Sequence, residues 1–328
     1  MPAAALNPLT AFYPEIRSRI AELAGACAWP GLEEQIARHL TRTHLPLHLI
    51  LPIASAAAVG GEPRRALSAA AACAFLIVSM RWFDDLQDRD RGESLWQEVG
   101  PARATNMAAA ALTVAWRALA DDPEPSPAAL RAFGELTVEL ARGQDADLQA
   151  GTVRRIEDYW DIMRGKTGAA LALGCRVGAL AACPANEAAA ATCARCGSHL
   201  GVAMQILDDL DGVFHPDGSG DLASGKVTLP VLYGLASSHP AQQELAAIVA
   251  AGRLATAESR VREILESIAV RELLVLSAHE EHRRALGFLA QLPPPATPMA
   301  RAGREALEAF GDALLVGWED LLERGTPC

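Results

Sequence analysis

Residues 66–88 read ALSAAAACAFLIVSMRWFDDLQD. From Ala66 to Met80 the residues are apolar or small on every side of a helix drawn through them. A helix that is apolar all round belongs inside a bundle, surrounded by other helices. The run stops at Arg81, short of the roughly 20 apolar residues that cross a membrane, so it reads as a core helix and no membrane span is expected. It closes on Asp84, Asp85 and Asp88. Asp84 and Asp88 lie one turn apart and share a face. Two carboxylates on one face repel each other unless a cation lies between them.

The same pattern returns downstream. The apolar stretch that begins at Asn186 closes on MQILDDLD, with Asp208, Asp209 and Asp211. Asp208 and Asp211 are neighbours at i, i+3. Hard oxygen ligands with open positions suit Mg²⁺, which takes one or two carboxylates and completes its shell with phosphate oxygens. Cations stand nearby in the chain: Arg91 after the first cluster, Lys166 in RGKTGAALALG, and Lys226 in SGKVTLP. Any one alone is an ordinary surface cation. Together with two acidic helix ends they read as a diphosphate clamp.

The remaining segments are helical by period. Helices are predicted over 9–28, 30–40, 105–121, 128–148, 156–182 and 186–213, with shorter ones to the C-terminus. Pro46 and Pro52 are expected to break or kink the apolar stretch 44–60. His215 to Gly225 reads as a loop. No period-2 alternation long enough for a strand occurs, and no linker divides the chain. The expectation is an all-α, single-domain bundle over residues 1–328, with about a dozen helices around a central apolar cavity. Composition agrees: 51% of residues are hydrophobic and 5% aromatic, with much alanine. The formal charge of −11 argues against a nucleic-acid partner, which needs a basic footprint. The N-terminus lacks the basic and apolar regions of a secretory signal. Seven scattered cysteines suggest no disulfide framework, so a reduced, cytoplasmic setting is expected. Cys193, Cys196 and His199 recur every third residue. Zinc is one reading, but three ligands on one straight helix diverge too far for a tetrahedron, and buried helix residues are the simpler one.

These motifs resemble those of the trans-isoprenyl diphosphate synthases, the polyprenyl synthetases of the class I isoprenoid synthase fold. DDLQD resembles the family's first aspartate-rich motif, and Asp90-Arg91-Gly92 the Arg-Arg-Gly after it. GQDADL (143–148) resembles its GQxxDL, and GKTGAAL its Lys-Thr motif, which includes Lys166 and Thr167. QILDDLD resembles the second aspartate-rich motif with its preceding Gln205. GDLASGKVTLPVLYGL resembles the segment that carries Lys226. The resemblance implies three Mg²⁺ ions and the diphosphate of an allylic prenyl substrate. Asp84 and Asp88 would hold two ions and Asp208 the third, with Asp211 in support and Asp85 beside them. Lys166, Lys226 and Arg91 would contact phosphate oxygens. A homodimer is also implied.

The departures carry as much information. Family members that elongate chains hold isopentenyl diphosphate with an N-terminal GGKRxRP, a His or Gln before the first motif, and the second Arg of Arg-Arg-Gly. Here LTRTHLPLHL (40–49) puts Arg42 at the Lys position and Pro46 at the Pro, but Thr43 and Leu45 where both Arg are expected; the His position falls on or near Ile77, and Arg91 survives. Gly212 occupies the third-Asp position of the second motif. Ser79 is small at a position that bulky residues use to close the pocket floor, and Phe75 lies a turn deeper. This pair suggests a C15 or C20 substrate, unless Ser79 simply packs against another helix. The main expectation is a terpene synthase-like enzyme that ionises the prenyl diphosphate and then cyclises or deprotonates the cation. Alternatives are a prenyltransferase acting on an indole or peptide acceptor, ordinary chain elongation, and a non-catalytic partner subunit.

Overall fold

A computed structural model describes residues 8–42, 46–88, 94–150, 155–214 and 220–318. Among these residues there are fifteen α-helices and no strand. In chain order they are α1 (Tyr13–Gly25), α2 (Pro30–Arg42), α3 (Pro46–Ala58), α4 (Leu67–Gln87), α5 (Leu95–Val99), α6 (Pro101–Ala120), α7 (Pro127–Ala150), α8 (Ile156–Met163), α9 (Ala169–Ala182), α10 (Glu187–Phe214), α11 (Leu229–Ala236), α12 (Gln242–Ala250), α13 (Glu258–Ser267), α14 (Val270–Leu289) and α15 (Pro298–Leu315). The all-α expectation holds.

The chain divides into two units. The first comprises Met1–Val138, Ala170–Gly197 and Gly287–Phe310, and the second Glu139–Ala169, Ser198–Leu286 and Gly311–Cys328. The boundaries at 138 and 197 fall inside helices α7 and α10.

The centre of the first unit is α4. Ala69 to Ala72 have no exposed surface, nor does Phe75. Small side chains let neighbouring helices approach closely, so enlarging Ala70 or Ala71 should cost about 1–3 kcal/mol by overpacking. The helical stretch Pro63–Gln87 is longer than its apolar run. By length and composition it passes for a membrane span, yet 72% of the relevant window is buried inside the protein. It is the core helix that its all-round apolar pattern predicts. The Ser79 hydroxyl donates to the Ala108 carbonyl on α6 at 2.8 Å. Ser126 begins α7 by accepting from the Ala129 N–H at 3.2 Å, and it donates to the Leu180 carbonyl at 2.8 Å. Such a cap is worth about 1 kcal/mol. Helix α3 runs through Pro52 without breaking, because burial of its apolar face outweighs the one hydrogen bond that proline removes. Cys193 and Cys196 are 0% and 1% exposed, and burial pushes both thiols up. Among the described residues no group of three or more His, Cys, Asp or Glu could hold a metal ion by itself, so the zinc reading falls.

The second unit has its own core. Tyr159 and Met163 of α8, Ile206, Leu210 and Val213 of α10, and Leu274 and Val275 of α14 pack together with the apolar faces of α11, α12 and α13. The Arg262 Nε–H donates to the Val213 carbonyl at 2.7 Å. That satisfies one of the carbonyls left open where α10 ends. The Arg271 guanidinium lies 4.3 Å from the centre of the Phe214 ring, a cation–π contact that covers the same helix end.

Candidate active site

The first acidic cluster lies at the end of α4. Asp84 is half-buried, Asp88 is exposed, and Asp85 is only 6% exposed. Asp84 and Asp88 therefore share an accessible face, as their spacing predicts. Asp85 turns inward, with its Oδ1 2.8 Å from Arg81 Nε. The accessible stripe continues backward along α4 through Met80 and Ile77, both half-buried. Ser79 and Phe75, which the sequence reading also groups with the substrate, have no exposed surface, and the Ser79 hydroxyl is used in packing against α6. Behind the cluster, Trp82 meets the ring of His39 edge-on, with centroids 6.1 Å apart. Burial, and secondarily the charge of Arg81, pushes the His39 imidazole down to about 4.

Lys166 and Thr167 sit in a feature that the helical pattern does not foretell. The predicted continuous helix 156–182 is interrupted by a π-helical turn, Arg164–Gly168. Such turns re-aim side chains within an otherwise regular helix. A glycine pair makes this one possible. A Cβ on Gly143 of α7 would collide with the Gly165 carbonyl and reach 2.9 Å from the Lys166 nitrogen. With no side chain there, the two backbones meet. One turn along α7, Asp147 reaches Lys166, with 2.5 Å between Oδ2 and Nζ. This is the structural meaning of the GQxxDL-like segment: a close-approach glycine and, four residues on, a carboxylate that holds the lysine.

The second acidic cluster lies near the end of α10. Asp208 and Asp211 are exposed, whereas Asp209 is only 3% exposed. The Asp208 carboxyl is pushed up to about 6, first by desolvation and then by the charges of Asp211 and Asp221. Asp208 has its own surface open to water and is still crowded by its surroundings, so both effects operate at once. Asp209 is pushed up to about 7 by burial, partly offset by its hydrogen bonds to Gln205 and Tyr159. The Tyr159 hydroxyl donates to Asp209 Oδ2 at 2.7 Å, Gln205 Nε2 to Oδ1 at 2.8 Å, and the Leu229 N–H to Oδ2 at 3.2 Å. Gln205 in turn accepts from the Thr167 hydroxyl at 2.5 Å. Gly212, where a third Asp is expected, has a neighbour in the space its side chain would take. A Cβ there would lie 2.6 Å from Asp221 Oδ2. The Asp221 N–H donates to the Gly212 carbonyl at 2.9 Å, and the Lys226 N–H to the Asp221 carbonyl at 2.8 Å. The turn before Lys226 is thus folded onto the end of α10.

The structure therefore brings together, within the second unit, Thr167, Gln205, Tyr159 and Asp209 in one hydrogen-bonded set, Lys166 with Asp147 in a separate ion pair, and Asp208 with Asp211 and Asp221 near enough to repel one another. Arg91 lies outside the described residues, as do Thr43 and Leu45. Tyr159, Asp147, Asp209 and Asp221 are in contact with the candidate residues, and the reading of the motifs left them without a role. The donor set fits Mg²⁺. It is made wholly of oxygens, and Asp208 is raised first by desolvation and then by the charges of Asp211 and Asp221, the second of which a cation would relieve.

Comparison with known proteins now adds a lineage. A family model for polyprenyl synthetase matches residues 47–268, more than half of the chain. The (2E,6E)-farnesyl diphosphate synthase of Mycobacterium tuberculosis is 35% identical over 210 residues, covering 60% of this chain and 58% of that relative's length. A geranylgeranyl pyrophosphate synthetase structure from Pyrococcus horikoshii superposes with a TM-score of 0.82 at 23% identity, over 94% of this chain and 97% of that one. A polyprenyl synthase from Caulobacter crescentus, in complex with calcium and isoprenyl diphosphate, superposes with a TM-score of 0.79 at 22% identity, over 93% and 94%. With a family model matched over residues 47–268 and an acidic cluster near the end of each of two helices, this chain belongs to the polyprenyl synthetase family.

Proposed function

We propose that the chain is a Mg²⁺-dependent enzyme that ionises an allylic prenyl diphosphate, after which the cation is cyclised or deprotonated. One contrast carries this reading. The residues suited to a first diphosphate are all present, namely Asp84, Asp88, Lys166, Asp208 and Lys226. Of those suited to a second diphosphate, Arg91 remains and Arg42 can stand at the Lys position, but Thr43, Leu45 and Ile77 replace the rest. A second buried diphosphate with so few cations would cost several kcal/mol. The reading takes residues 1–328 as one catalytic domain, cytoplasmic and homodimeric as the family resemblance implies.

Asp84, Asp88 and Asp208, with Asp211, would hold the Mg²⁺ ions. Bound there, the metal supplies Lewis-acid neutralisation of phosphate oxygens. Lys166 and Lys226 donate hydrogen bonds to the diphosphate and stabilise the negative charge it gains as it leaves. Asp147 orients Lys166 for that role. The carbon–oxygen bond breaks heterolytically: its electron pair stays on the diphosphate oxygen, and the allylic carbon becomes the cation. Ile77 and Met80, on the stripe of α4 leading to Asp84, line the prenyl chain and keep water from the cation. A proton then passes from carbon to the departed diphosphate, whose oxygens are the nearest base.

Ordinary chain elongation is the second reading, favoured by the 35% identity to a farnesyl diphosphate synthase. One experiment separates the two. The protein and Mg²⁺ are incubated with geranyl, farnesyl or geranylgeranyl diphosphate, with and without isopentenyl diphosphate. A hydrocarbon or alcohol, with diphosphate release, in the absence of isopentenyl diphosphate supports ionisation. A longer diphosphate formed only in its presence overturns that reading in favour of elongation. No turnover in any mixture sets both aside and points to another acceptor or to a partner subunit.

A further inference from the structure

We propose that Asp209, although it lies inside the second acidic motif, is a positioning residue and not a metal ligand, and that through Tyr159, Gln205 and the Leu229 amide it fixes the π-turn that bears Lys166 relative to the start of α11, just after Lys226. The inference rests on the proposed function only in the roles it gives those two lysines.

Both carboxylate oxygens of Asp209 are already engaged. Oδ1 accepts from Gln205, and Oδ2 accepts from Tyr159 and from the Leu229 N–H. A metal could reach Asp209 only by displacing these donors from a side chain that is 3% exposed. Its neighbour Asp208 is exposed and carries no such set of donors. Four elements meet at Asp209: α8 through Tyr159, the π-turn through Thr167 and Gln205, α10 itself, and the first residue of α11.

The carboxylate also sets the direction of the chain of bonds. A carboxylate only accepts, so Gln205 turns its NH₂ toward Asp209 and its carbonyl toward Thr167, whose hydroxyl donates. This yields a sharp distinction between the two roles. In Asp209→Asn, the amide oxygen can take the place of Oδ2 and still accept from Tyr159 and Leu229. The amide NH₂ takes the place of Oδ1 and donates to a flipped Gln205, whose NH₂ then donates to the Thr167 oxygen. Every bond survives with two directions reversed. Asp209→Ala leaves three donors stranded. At Asp208, by contrast, an amide is a poor substitute for a charged ligand, so Asp208→Asn weakens metal binding.

Two measurements test this on the full chain. In the first, calorimetric titration follows Mg²⁺ with inorganic diphosphate on the wild type and the three variants. Asp209→Asn should bind within about threefold of wild type, since no bond is lost. Asp208→Asn should be weaker by roughly tenfold or more, and Asp209→Ala should be weakened as well. An Asp209→Asn protein that melts no lower than wild type yet binds as poorly as Asp208→Asn would mark Asp209 as a ligand and overturn the proposal. The second measurement needs no ligand and so stands apart from the proposed function. Amide hydrogen exchange should quicken in Asp209→Ala both at the π-turn, 164–168, and at 227–232. In Asp209→Asn it should quicken in neither. Faster exchange confined to α10 in Asp209→Ala would show that no tie exists between the two segments, whatever the protein binds.

Discussion

The ends of α4 and α10 carry the same pair of adjacent aspartates, and the two regions solve the resulting electrostatic problem differently. In each, the first Asp faces outward and the second turns inward, with Asp85 6% and Asp209 3% exposed. Asp85 is met by a cation one turn back on its own helix, Arg81. Asp209 is met only by neutral donors, two of which come from other helices. A cation neutralises charge locally. Neutral donors bring no opposite charge, so burial still raises Asp209 to about 7, and they tie distant segments together. The first region is a helix end with a built-in counterion, and the second is a junction.

The largest expected effect treats the two ends alike. Asp84→Ala and Asp208→Ala should each lower diphosphate release from a prenyl diphosphate in the presence of Mg²⁺ by about 10²–10³-fold. If one variant keeps most of its activity, the two ends do not share a role. Stability should then separate them. Arg81→Met leaves Asp85 buried without its cation. A broken buried pair costs about 3–5 kcal/mol, and because Arg81 is more than half exposed the expected loss in urea unfolding is nearer 2 kcal/mol. Tyr159→Phe removes one of three donors and should cost about 1.5 kcal/mol. A Tyr159→Phe loss larger than that of Arg81→Met would reverse the contrast.

The dependence of stability on pH sharpens it further. Asp209 sits at about 7 in the fold against 3.8 for the ordinary side chain. Its contribution to stability is fully present below about pH 4 and is lost as pH rises through 7. His39, behind the first cluster, is held at about 4 against 6.5. Its contribution is present above pH 6.5 and is lost as pH falls toward 4. The two slopes oppose each other across one window. Urea unfolding from pH 4 to 7.5 should show Asp209→Asn gaining on wild type as pH rises, and His39→Gln gaining on wild type as pH falls. Each difference should amount to about 1–3 kcal/mol. Parallel pH profiles for either variant and wild type would remove that group from the account.

How much of this was legible in the sequence follows from the same contrast. Helix α4 could be read because its signal is local: an apolar run too even for one face, then carboxylates at i, i+4. The Arg81–Asp85 pair is also an i, i+4 relation. The junction at Asp209 was not legible, since Tyr159 stands 50 residues before it and Leu229 20 after, and no spacing rule connects them. The π-turn escaped because an extra residue in a helical turn leaves composition and propensity unchanged. Ser79 was ambiguous because a small residue suits a pocket floor and a helix crossing equally well, and only the position of Ala108 decides what it touches. Arg91 and the 43–45 stretch, on which the acceptor question turns, lie outside the described residues.

Gly212 has a consequence for anyone redesigning this protein. Replacing unusual residues by those common among relatives is a standard route to robustness, and it would nominate Gly212→Asp at once. Here that repair would be an injury. The incoming side chain would enter the space that the Asp221 carboxylate occupies, 2.6 Å from its Oδ2, and set a second negative charge against it. The Asp221 side chain would have to swing out of its place against the end of α10. The glycine and the aspartate nine positions later share one space, so a change at either position has to be judged with the other in view.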